Sequence, residues 1–179
     1  MSALRLDVAD TTARLGLKGP RAAEWLAAQG VAAPARSNTW SRRPFAGVAD
    51  VLIARLGASE FFLEARDQGA LAALAVGLAA EPAGVYPVLR EDCASRLSGP
   101  GVHDVLAQVC NVDFAGLDLE ARPVIMTLMI GVAVLAVPDG TSDARQYRFW
   151  CDPTFGASLS ETLGAIIVEC GGTITGVAG

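Results

Sequence analysis

The phrase ARLGLKGPRAAEWLAAQGV, residues 13–31, returns as SRLSGPGVHDVLAQVCNV at 95–112. Leu17 answers to Leu97, Gly19 to Gly99, Pro20 to Pro100, Leu26 to Leu106 and Ala27 to Ala107, at a constant offset of 80 residues. In both places an apolar strand runs into a Gly-Pro corner and then an amphipathic helix. Glycine lets the backbone turn without a Cβ clash, and proline fixes φ for the first helical residue. A chain that repeats its corner in this way is built twice from one plan, and neither copy carries a reactive group.

The rest of each half follows the same order. After the first helix the polar segment PARSNTWSRRPFAG reads as a loop, and VADVLIARL and EFFLEA then read as a hairpin. Phe61 and Leu63 alternate with Glu60 and Glu64, the period of a strand with one wet face. Leu71, Leu74 and Leu78 then mark one helical stripe, and Pro82, Gly84 and Pro87 end it. In the second half Val102, Val105, Leu106 and Val109 form the helix stripe. VIMTLMIGVAVLAV and QYRFWC supply the hairpin strands, with Tyr147, Phe149 and Cys151 on one side and Arg148 and Trp150 on the other. Asp152 and Pro153 read as an N-cap and first helical residue. Phe155, Leu159, Leu163, Ile166 and Cys170 stack along the final helix, which Gly171-Gly172 stops.

The expected fold class is therefore α+β: two tandem strand-helix-strand-strand-helix repeats with pseudo-twofold symmetry, forming a single domain over residues 1–179. The halves meet near residue 86 (1–86 and 87–179), and one half alone would bury too little apolar surface to be safely stable.

Composition narrows the function. Hydrophobic residues make up 52% of the chain and charged ones 18%, so a partner or an unusually large core must hide the excess. A net charge of −5 excludes a general nucleic-acid binder, which needs a basic face. The longest apolar run, at 124–137, is shorter than the roughly 20 residues a membrane-spanning helix requires. The N-terminus shows no signal peptide, and Cys93, Cys110, Cys151 and Cys170 have no metal-ligand spacing, as expected of buried, reduced thiols in the cytoplasm.

Chemistry is scarce. His103, the single histidine, falls off the helix stripe and reads as solvated, so acid–base and triad chemistry lack their usual partner. Asp152 reads as a cap. In Gly99-Pro100-Gly101 the proline removes an N–H that a phosphate cradle would need, and CGGTITG lacks a dinucleotide-binding context. No catalytic, cofactor-binding or metal-binding residue is expected. The remaining feature is RSNTWSRRPF, where Trp40, Arg42, Arg43 and Phe45 form a basic-aromatic cluster in an acidic chain. Tryptophan and arginine are enriched at interface hot spots, so these four residues are the candidate partner interface, with a solvated loop as the plainer alternative.

Three phrases in this order, GVYPVLREDCASRLSGPGVHDVLAQVCNVDF, VIMTLMIGVAVLAVP and YRFWCDPTFGASLSETL, resemble the gamma subunit of heterotetrameric sarcosine oxidase. The likeness is strongest over residues 84–165 and extends to LGLKGPRAAEWLA and RLGASEFFLEA. It implies a fold similar to half of the glycine-cleavage T-protein, an aminomethyltransferase. It also implies a cytoplasmic complex with a large alpha subunit, a flavin-bearing beta subunit and a small delta subunit, which oxidatively demethylates N-methyl amino acids. In that family FAD, FMN, NAD, tetrahydrofolate and zinc sit on the other subunits, and the gamma chain is structural. The alternatives are a stand-alone folate-binding or aminomethyltransferase-like one-carbon protein, with Asp92, Asp113 and Asp152 as available carboxylates, and a homodimeric binding module.

Overall fold

Eleven strands and four helices alternate among the described residues, 3–8, 12–141 and 144–176, of a computed structural model. In chain order they are β1 (Arg5–Asp7), β2 (Ala13–Lys18), α1 (Ala22–Ala28), β3 (Thr39–Phe45), β4 (Val48–Arg55), β5 (Glu60–Ala65), α2 (Ala72–Ala79) and β6 (Tyr86–Val88). There follow β7 (Cys93–Ser98), α3 (Val102–Val109), β8 (Ile125–Met129), β9 (Val132–Pro138), β10 (Gln146–Cys151), α4 (Pro153–Glu169) and β11 (Thr173–Thr175).

The chain divides into two compact units, Thr11–Glu91 and Met1–Asp10 with Asp92–Gly179. The first holds a five-stranded sheet in the order β3-β4-β5-β2-β6, the second a six-stranded sheet in the order β11-β1-β7-β10-β9-β8. The first runs strand, helix, three strands, helix, strand; the second has that order from β7 to β11 and adds β1. The short leading strands are traded: β1 precedes β2 in the chain but pairs antiparallel with β7, while β6 precedes β7 but pairs antiparallel with β2.

That trade explains the Gly-Pro corners. Gly19 and Gly99 have φ of +132° and +101°. A Cβ on Gly19 would strike the carbonyl oxygen of Gly84, just ahead of β6, and one on Gly99 the carbonyl oxygen of Ala3, just ahead of β1. Glycine therefore serves the turn and also admits a crossing backbone. Pro20 and Pro100 lie within the turn, two residues before the helices begin at Ala22 and Val102, so they shape the corner rather than the first helical residue.

Two edge strands depart from the sequence reading. The segment expected to be a loop contains β3, paired along its length with β4. VIMTLMIGVAVLAV is itself a hairpin, β8 and β9, turning at Ile130-Gly131 with φ of +51° and +79°. Positive φ at both central residues matches the right-handed twist of the flanking strands. Ala46-Gly47 turns β3 into β4 the same way, with φ of +50° and +79°.

Each sheet packs its helices against a separate apolar cluster. In the five-stranded unit Leu17, Leu26, Val51, Ile53, Phe61, Leu63, Leu74 and Leu78 meet. In the six-stranded unit Leu6, Leu97, Val105, Leu106, Tyr147, Phe149, Leu159 and Ile167 do so, with Phe114 edge-on to Tyr147 at 5.2 Å between ring centres. The α3 stripe is buried as its spacing implies. On α4 the buried face is Gly156, Leu159, Leu163, Gly164 and Ile167, while Phe155 and Cys170 are exposed. Asp152 caps α4, accepting from the Thr154 N–H at 2.8 Å, and hydrogen bonding from the Thr154 side chain, then from this N–H, holds its carboxyl below the usual range.

The wet face expected of the EFFLEA strand is confined to Glu60 at its start. Phe62 and Glu64 are buried along with Phe61 and Leu63. Arg90 lies over the Phe62 ring, and Glu64 accepts from Arg14 at 3.0 Å and from the Thr12 hydroxyl at 3.1 Å. A buried carboxylate persists because it is paired and hydrogen-bonded.

Candidate functional site

The four residues expected to form an interface share one strand but not one face. β3 is the edge of its sheet. Trp40 and Arg42 stand opposite Ala54 and Leu52 on one face, while Arg43 stands opposite Val51 on the other. Trp40 is buried, Arg42 is ion-paired to Asp50 at 3.2 Å, and Phe45 packs with Val48 against the five-stranded unit's core after a bulge. Arg43 alone of the four is exposed. The charges and Pro44 that suggested a loop suit an edge strand, where arginine and proline discourage further strand pairing.

The other sheet's edge lacks such residues, and is covered only at its end, where Met129 bridges to Cys110 and the Ile130 N–H donates to the Val109 carbonyl at 2.9 Å. β8 ends the six-stranded sheet with the sequence IMTLM, without charge or proline. Met126 and Leu128, two residues apart and so on one face, are 57% and 60% exposed, and Ile130 in the adjoining turn is 40% exposed. A β-branched residue at φ +51° is held against its backbone preference, a strain of about 1–3 kcal/mol. Asparagine or glycine would relieve it. The turn itself is tied to the end of α3 by the Ile130 N–H, so the part of this edge left open is Met126 and Leu128. The sequence signal was the run's apolarity on both faces; the hidden turn concealed where the exposed part lies.

His103 is not solvated. It is half-buried, and its Nε2 lies 2.7 Å from the Tyr147 hydroxyl, which donates to the Phe114 carbonyl at 3.1 Å. Since that hydroxyl gives its one proton to the carbonyl, Nε2 carries a proton and donates. Burial, then the Arg145 charge, lowers the His103 pKa, with Asp104 and Asp113 opposing. The arrangement orders the α3 start and the residue 114 loop, and presents no reacting pair.

Of the three carboxylates weighed for a pterin, Asp92, Asp113 and Asp152, the last two are committed locally. Asp113 accepts from the Ala115 and Gly116 N–H groups, both at 3.1 Å, and Asp152 is the α4 cap. Of the cysteines, Cys110 and Cys151 are buried as expected, but Cys93 and Cys170 are exposed. Among the described residues no three His, Cys, Asp or Glu side chains group to hold a metal, and no helix is long and apolar enough to cross a membrane.

No family model matches the chain, and no curated protein sequence does. Solved structures do. A chain of the "Heterotetrameric Sarcosine Oxidase from Corynebacterium sp. U-96 in complex with pyrrole 2-carboxylate" superposes with a TM-score of 0.71 at 25% identity, covering 97% of this chain and 87% of that one. The glycine cleavage system aminomethyltransferase T from Bartonella henselae superposes with a TM-score of 0.70 at 19% identity, covering 98% of this chain. The fold is α+β and aminomethyltransferase-like. The chain spans about half of the aminomethyltransferase, 48%, and most of the matched sarcosine oxidase chain. Similarity in length as well as fold separates the two relationships.

Proposed function

We propose that the chain is the small, non-catalytic, gamma-type subunit of a sarcosine oxidase-type complex that oxidatively demethylates N-methylated amino acids or related compounds in the cytoplasm. The observation that carries this reading is the near end-to-end likeness to one chain of a heterotetrameric sarcosine oxidase. One feature of the chain supports it. Met126 and Leu128 on β8 offer an exposed apolar surface suited to a neighbouring polypeptide, and Ile130 extends it. On this reading the partners are a large alpha subunit, a flavin-bearing beta subunit and a small delta subunit. FAD, FMN, NAD, tetrahydrofolate and zinc then belong to those partners.

Purification of the untagged native protein tests the proposal. A large flavin-containing chain should co-purify, while the isolated chain shows no flavin absorbance. A stable monomer with no affinity for a flavoprotein would remove the reading.

The aminomethyltransferase fold favours a second reading, a stand-alone folate-binding or one-carbon protein. Against it stand Asp113 and Asp152, whose carboxylates are spent on backbone N–H groups. Titration with tetrahydrofolate decides: saturable binding by the isolated chain supports this second reading, and its absence eliminates it.

A further inference from the structure

The six-stranded sheet carries a run of polar side chains on the face away from its helices. Leu6, Leu97, Tyr147 and Ile174 point into the helix-side core, so their chain neighbours line the opposite face. Register sorts those neighbours into two rows across β11, β1, β7 and β10. One is Thr173, Arg5, Ser98 and Gln146, the other Thr175, Asp7, Arg96 and Arg148. Arg148 is buried, but over the rest of these rows a solvent-open cavity of about 510 Å³ is lined by Ala3, Arg5, Asp7, Arg96, Ser98, Gln146 and Thr173. That volume falls within the roughly 300–1,000 Å³ usual for small-molecule sites.

The matching place on the five-stranded sheet is filled. There the rows are Tyr86, Lys18 and Glu60, then Val88, Gly16 and Phe62. Arg90 lies across them, 5.4 Å from the Phe62 ring centre and ion-paired to Glu60 at 3.1 Å. Its stem runs so close to Gly16 that a Cβ there would sit 2.8 Å from Arg90 Cγ. One sheet covers this spot with its own arginine; the other leaves it open and surrounds it with donors.

Charge identifies what the open site suits. The chain carries −5 overall, yet two arginines line this cavity against one carboxylate. Asp7 fixes one of them, accepting from Arg5 Nε at 2.5 Å, while Arg5 also donates to the Thr175 hydroxyl at 3.2 Å. Arg5 stands opposite Ser98 and Arg96 opposite Asp7, so the arginines are diagonal neighbours on adjacent strands. Such positions lie about 7–8 Å apart, a spacing that one small anion can bridge.

We propose that this face binds a small organic carboxylate, held by the guanidinium groups of Arg5 and Arg96 and the hydroxyls of Ser98 and Thr173. The planar guanidinium fork matches the planar carboxylate. Phosphate also seeks arginine, but its second charge would meet the Asp7 carboxylate, so a monoanion is preferred.

The test is titration of the full-length chain with acetate, glycolate and inorganic phosphate at constant ionic strength, followed by calorimetry and amide chemical shifts. Acetate or glycolate should give saturable shifts centred on Arg5, Arg96, Ser98 and Thr173. Arg96→Gln and Arg5→Gln should each weaken binding about tenfold or more, the scale of a lost charge-assisted hydrogen bond. Ser98→Ala should weaken it less, and provides a milder variant should an arginine substitution disturb folding. Absence of saturable shifts, binding unchanged in all three variants, or phosphate binding tighter than both carboxylates would each overturn the proposal. Co-purification with a flavoprotein is a separate readout, so this result and the docking role stand or fall independently.

Discussion

Cys93 and Cys151 stand directly opposite each other at the end of the β7–β10 ladder. Burial chiefly, with the Cys93 sulfur and the Asp92 and Asp152 carboxylates adding, pushes the Cys151 thiol from 9.0 up to about 11. The folded chain thus keeps a proton that the unfolded chain releases near pH 9.0. The stability this confers is whole below that pH and is lost as pH climbs towards about 11. Melting temperatures measured from about pH 8 upward should fall more steeply in the wild type than in Cys151→Ser; parallel curves would contradict the assignment.

Acid should reveal His103 with the opposite sign. Burial and Arg145 hold its pKa below the usual 6.5. Protonation is therefore resisted in the folded state, and the stability involved is present above 6.5 and lost as pH falls through the lowered value. Urea midpoints from about pH 8 to 5 should decline in the wild type and flatten in His103→Gln. Tyr147→Phe, which removes the buried hydroxyl between His103 and the Phe114 carbonyl, should cost about 1–3 kcal/mol at neutral pH.

The Gly-Pro corners make a third prediction, because their glycines are constrained twice. Gly99→Ala forces a side chain to φ +101° and drives its Cβ into the Ala3 carbonyl oxygen. Backbone strain of about 1–3 kcal/mol plus the clash with main chain should lower stability by about 3 kcal/mol or more. Gly19→Ala should do the same through Gly84. Gly47→Ala, where the φ is positive but a Cβ meets nothing within 4 Å, should cost less, and chemical denaturation would rank the three.

What could be read in advance follows from periodicity. The α3 stripe of Val102, Val105, Leu106 and Val109 and the inward set Tyr147, Phe149 and Cys151 repeat at the helical and strand periods, and both lie where that spacing puts them. Edges escaped. β3 hides behind Arg42, Arg43 and Pro44, residues that an edge tolerates and a central strand does not. The β8–β9 turn hides because Ile130 occupies a position where Asn or Gly would announce it. β1 and β6 are three residues each, too short for any pattern, and their exchange is a long-range event that local sequence does not encode. The polar cavity was equally invisible, since its lining is gathered from residues 3–7, 96–98, 146 and 173.

Ile130 offers the sharpest test of the β8 edge, because stability and docking should move in opposite directions. Ile130→Asn relieves the positive-φ strain and should raise stability by up to about 1 kcal/mol. It also removes apolar surface from the exposed patch of Met126 and Leu128 and should weaken retention by partner subunits. Leu128→Lys places a charge on the same edge; being exposed, it should change folding stability by no more than about 0.5 kcal/mol while reducing co-purification. Arg43→Ala on the β3 edge is the comparison, expected to leave assembly intact. Thermal melts alongside quantitative co-purification separate the cases. If Leu128→Lys and Ile130→Asn assemble as well as the wild type while Arg43→Ala does not, the docking surface belongs to β3, and the strain at Ile130 has some other cause.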